Sequence, residues 1–109
     1  MKACKLCVMR VYHRTISKAA QQILVNGFRD AVGTYMTEDQ WRGVWASDRA
    51  LDENEGACGD TLLAMDVPAH VFDEYEWKED VAKSYRESLI PAAILNAFRR
   101  PTVVTEEQE

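Results

Sequence analysis

The sequence has no apolar run near the ~18 residues that a membrane-spanning helix needs, and its first ten residues, MKACKLCVMR, hold too short an apolar stretch for a secretory signal. Cysteine is scarce and odd in number, at three, so a complete disulfide framework within one chain is excluded and a reducing, cytoplasmic setting is expected. Cys4 and Cys7 form a CxxC pair, but Cys58 lies far away and no paired histidines follow. A structural zinc needs a full set of closely spaced ligands. Free thiols are therefore the reading, and no metal is expected. Histidine is as scarce, with His13 and His70 the two imidazoles. There is no GxSxG, no HExxH and no phosphate-cradling P-loop. The Gly56 to Gly59 spacing matches no such loop.

What is present suits one small globular domain. Of 109 residues, 47% are apolar and 28% charged, a balance neither disordered nor fibrous. The net charge is -5, which disfavours general nucleic-acid binding. The charge is uneven. Residues 1–29 hold six basic side chains and no acidic one, whereas residues 48–80 hold eleven acidic and two basic. The first segment can offer an anion site; the two segments can equally pair with each other.

Patterning predicts a mixed α+β domain. Residues 8–14 (VMRVYHR) read as a strand. Ser17 then caps a helix from Lys18, with Ala19, Ala20, Ile23 and Leu24 on its apolar face and Asn26-Gly27 as its stop. Residues 29–42 read as loop. Strands follow at 43–48, at 61–67 and at 84–90, the last two ended by Pro68 and Pro91. Residues 69–75 and 92–98 read as short helices, and 102–105 as an edge strand. The acidic, glycine-bearing stretch between the second and third strands reads as a long loop. The expected organisation is a leader over 1–8, one domain over 9–104 and an acidic tail over 105–109.

Two positions stand out chemically. His13 sits at a strand end just before a helix N-terminus, with Thr15 on the same side of the strand. An imidazole and a hydroxyl can thus meet one ligand, with Arg14 and Lys18 close enough in sequence to reach a phosphate. Glu87 shares a predicted strand side with Tyr85 and Leu89, so its carboxylate should be paired or held for use. A backbone-bonded His13 and an edge-strand Glu87 are the plain alternatives.

These residues carry a resemblance. Tyr12-His13-Arg14-Thr15, then Ala19-Ala20, Ile23-Leu24 and Asn26-Gly27-Phe28, looks like the opening of the small ADP-ribosyltransferase-like proteins, with their H-x-T strand and a helix ending in "GF". Gly43-Val44-Trp45-Ala46-Ser47-Asp48 is similar to their second motif, and Tyr85-Arg86-Glu87 through Ile90-Pro91 to the strand bearing their glutamate. The resemblance spans residues 11–96. It implies split, curved β-sheets with NAD+ in the cleft as substrate. It also implies transfer of ADP-ribose to a protein or nucleic-acid acceptor, or hydrolysis of NAD+. Under it, His13 holds a ribose with help from Thr15, and Glu87 stabilises the oxocarbenium-like transition state as nicotinamide leaves. Arg14, Trp45, Ser47 and Tyr85 join the expected nucleotide contacts. The sequence departs from the family in having no aromatic residue between Ser47 and Phe72, leaving Trp41 or Trp45 to stack on nicotinamide. A non-catalytic nucleotide- or protein-binding module on the same fold is the alternative. RNA 2′-phosphotransferase-like activity is a weaker one.

Overall fold

Strand alternation organises this molecule, because each strand divides its side chains between two differently filled faces. The computed structural model describes residues 7–34, 40–51, 59–78 and 85–104. In chain order these form β1 (Val8–Thr15), α1 (Ser17–Asn26), β2 (Ala31–Thr34), β3 (Gln40–Ser47), β4 (Thr61–Pro68), α2 (Ala69–Glu74), β5 (Glu87–Ile90), α3 (Ala92–Leu95) and β6 (Thr102–Val103). The strands make an open antiparallel sheet in the order β2-β3-β1-β4-β6, with β5 also pairing β3. The domain is α+β.

β1 and β4 pair along their whole length, from Val8↔Pro68 to Thr15↔Thr61. β3 divides its length between two partners. Its first half pairs β2 (Ala31↔Gly43 to Thr34↔Gln40), and its second half pairs β5 (Val44↔Ile90 to Ser47↔Glu87). Where the two partners meet, the Asp30 carboxylate accepts a hydrogen bond of 2.8 Å from the Ala92 amide.

One face carries the main core. Val11, Val44, Ala46, Leu63, Met65, Val67 and Ile90 point into it from the strands, and Ala20, Ile23, Val71, Phe72 and Leu95 from the helices. The opposite face carries a smaller cluster of Leu62, Ala64 and Val104, flanked by Tyr12 and Ala50. β4 reads TLLAMDV, nearly all apolar, because both its faces are covered.

Several boundaries differ from the sequence expectation. β2 lies inside the stretch read as loop, because four residues including Gly33 give too short a pattern to detect. β3 begins at Gln40 rather than at Gly43. Ile16, not Ser17, is the N-cap of α1, and no side chain caps it; the Ile16 carbonyl simply accepts from the Ala20 amide at 2.9 Å. The helix stop is as expected: Gly27, at φ 90°, donates its N–H to the Ile23 carbonyl at 2.8 Å. β5 starts at Glu87, so Tyr85 precedes the strand rather than sharing its face, and α3 ends at Leu95. The tail over 105–109, most of the leader and the heart of the acidic loop lie outside the described residues. So do Cys4 and Cys58, while Cys7 is an exposed free thiol. No helix among the described residues is long and apolar enough to cross a membrane.

Candidate functional site

β1 and β3 pair at a single position, Tyr12↔Ser47, and then part. His13 occupies the place where the ladder stops. Its Nδ1 lies 2.8 Å from the Trp45 carbonyl oxygen. A carbonyl can only accept, so Nδ1 carries the proton. Burial pushes the His13 pKa below the ordinary histidine range, and the bond to Trp45 offsets this only in part. The ring is therefore neutral at pH 7, with Nε2 left as an acceptor. No described group donates to Nε2, yet among the described residues that are not exposed no side-chain nitrogen or oxygen is both sealed from solvent and unpartnered. Nε2 thus faces open space.

That space is a cleft of about 440 Å3, within the range of small-ligand sites. His13 and Thr15 form one side, and Ala19, Gln22, Ile23 and Asn26 of α1 a second. Gly43, Val44 and Trp45 of β3 form a third, and Gly27 to Arg29 close the end. Phe28 is buried there with its ring edge-on to His13, the centroids 5.6 Å apart and the planes at 84°. Asn96, just beyond α3, fixes Phe28 from behind. Its Oδ1 accepts from the Phe28 amide at 2.7 Å and its Nδ2 donates to the Phe28 carbonyl at 2.9 Å. A Cβ at Gly27 would lie 2.8 Å from that same Oδ1, so glycine is needed there for space as well as for conformation.

The residues singled out from sequence divide between the two faces. His13 and Thr15 line the cleft, and Trp45 joins them through its backbone, whose carbonyl holds His13, while by alternation its side chain lies on the Ser47 side of β3. Arg14, next to His13, points to the other face by strand alternation. There its Nε donates to the Leu51 carbonyl at 2.6 Å and its Nη1 to the Gly59 carbonyl at 3.5 Å. It ties together the two ends of the acidic loop rather than meeting the cleft. Ser47 is buried and donates to the Arg49 carbonyl at 2.7 Å. Glu87 pairs with Ser47 across the ladder and so shares its face. Its neighbour Ser88 points into the core, where its hydroxyl donates to the Phe72 carbonyl at 2.5 Å. Glu87 and His13 therefore project from opposite faces of the sheet. Tyr85 lies beneath the Arg49 guanidinium, 5.5 Å from the ring centroid.

The two tryptophans considered for stacking join a third. Trp41 meets Trp45 edge-on at 5.3 Å, and Trp45 meets Trp77 at 5.2 Å. Lys18 is exposed and does not line the cleft. Arg29 belongs to the basic run over residues 1–29 that the sequence offers as an anion site, but the sequence does not single it out within that run, and it does not mark Asn96 at all. The Gly-Phe-Arg run after α1 marks the first only in retrospect, and no periodicity marks Asn96. Among the described residues, no group of three or more His, Cys, Asp or Glu side chains gathers as for a metal. No family model, no curated protein and no solved structure matches this chain.

Proposed function

We propose that the chain is an ADP-ribosyltransferase-like nucleotide-binding module that holds a ribose-bearing ligand of the NAD+ type without cleaving it. The observation that carries this reading is the His13 ring: neutral, fixed through Nδ1, with Nε2 free to accept from a hydroxyl in a cleft of about 440 Å3. A ribose offers such a hydroxyl, and Thr15 stands on the same side of β1 to add a second contact. The parting of β1 and β3 beside His13 supports a split-sheet architecture of the kind the resemblance implies.

Turnover is the weaker reading for a physical reason. Breaking a glycosidic C–N bond builds positive charge on the sugar, and a fixed carboxylate must stand beside it. Among the described residues that line the cleft there is no aspartate or glutamate, and Glu87 lies on the other face.

The test is calorimetric titration with NAD+ and with ADP-ribose, beside an assay for released nicotinamide. Binding should occur without release, and His13→Ala should weaken it by about tenfold, as the loss of one buried hydrogen bond does. Nicotinamide release that disappears in Glu87→Gln would overturn the reading in favour of the enzyme.

A further inference from the structure

We propose that Arg29 is the anion contact of the cleft and that the ligand is therefore recognised through a phosphate as well as a sugar. This rests on the nucleotide-binding reading above and names the residue that would select within that class.

Among the described residues that line the cleft, Arg29 is the one charged residue beside the neutral His13. The protein as a whole carries a net charge of -5. A local positive site in an acidic molecule discriminates strongly between an anionic ligand and its uncharged analogue. The adjacent carboxylate of Asp30 forms no ion pair with it. Asp30 is engaged elsewhere, its Oδ1 accepting from the Ala92 amide at 2.8 Å and its Oδ2 facing Arg42 at 4.0 Å.

The backbone around Arg29 is pinned on both sides. Phe28 is held through both its amide and its carbonyl by Asn96, and Asp30 is tied to the start of α3. An arginine on a fixed backbone loses less freedom when it closes on a phosphate, and its planar fork suits phosphate oxygens. The two cations that the sequence placed near a phosphate are not so placed: Arg14 points to the opposite face and is bonded to the Leu51 and Gly59 carbonyls, and Lys18 is exposed and does not line the cleft.

The experiment titrates adenosine, ADP and inorganic pyrophosphate into wild type, Arg29→Ala, Arg29→Lys and Arg42→Ala, with backbone amide shifts as the readout. Wild type should bind ADP about tenfold or more tightly than adenosine. That preference should weaken with added salt. Arg29→Ala should bring ADP down to the level of adenosine and leave adenosine unchanged. Arg29→Lys should fall between, and Arg42→Ala should behave as wild type. An undiminished ADP preference in Arg29→Ala overturns the proposal. Pyrophosphate binding that depends on Arg29, with no adenosine binding, upholds the anion contact and overturns the nucleotide reading. No binding of any probe overturns both.

Discussion

The two faces of the sheet are made from the same strands, yet they do different work. The face that holds Val11, Val44, Leu63 and Ile90 supports the main core and, where β1 leaves β3, the His13 cleft. The other holds a small cluster around Leu62 and Ala64, the Arg14 tie and the Ser47–Glu87 pair. Since a strand's side chains alternate, His13 and Arg14 are neighbours in sequence and strangers in space. Ser47 and Glu87 are distant in sequence and adjacent on the ladder. A motif read along the chain therefore says which residue types are at hand, and the register says which of them can meet one ligand.

The core face can be broken most severely. Phe72 is fully buried at the centre of the main cluster, and its own carbonyl accepts the Ser88 hydroxyl. Phe72→Ala should cost about 3–5 kcal/mol, read as a drop in the urea midpoint. A loss below about 1 kcal/mol would mean that the inner face is not the main source of stability.

The same contrast explains what the sequence disclosed. β1, α1, β4 and the Gly27 stop were legible because their periodicities are long and their punctuation strong. β2 was not, since four residues cannot show a period, and its pairing with β3 is a tertiary fact. Within the site, His13 and Thr15 were legible from their spacing. Arg29 and Asn96 were not, because the clamp on Phe28 joins residues 68 positions apart and leaves no local trace. The expectation that His13 and Glu87 serve one ligand failed to reckon with parity. Tyr12↔Ser47 and Ser47↔Glu87 put Glu87 with the even-numbered side chains of β1, and His13 is odd.

A pH series sharpens the contrast at intermediate size. His13 has a folded pKa below its unfolded value, because burial disfavours the cation. The unfolded chain therefore binds the proton more readily. The stability contributed by the neutral ring is present above the unfolded pKa of about 6.5 and is lost as pH falls toward the folded value. The urea midpoint should decline as pH falls below about 6.5, and His13→Gln should flatten that decline. Ligand affinity should hold through the start of that decline and fall only at lower pH, once the folded ring itself takes up a proton at Nε2 and can no longer accept. A profile identical in wild type and His13→Gln would remove His13 as its source.

The smallest expected effect tests the outer face. Glu87→Gln keeps the shape of the side chain and removes its charge. If the outer face contributes nothing to the cleft, the variant should bind NAD+ and ADP-ribose as wild type does, with stability changed by less than about 1 kcal/mol. The comparison gains its force from the paired substitution on the inner face. His13→Ala alters affinity and leaves the Ser47–Glu87 ladder pair in place, since that pair rests on backbone register rather than on the imidazole. Were Glu87→Gln instead to weaken binding as much as His13→Ala, the ligand would have to reach both faces through the gap beyond Tyr12↔Ser47. The parting of β1 and β3 would then be a passage between the faces rather than the back wall of a one-sided cleft.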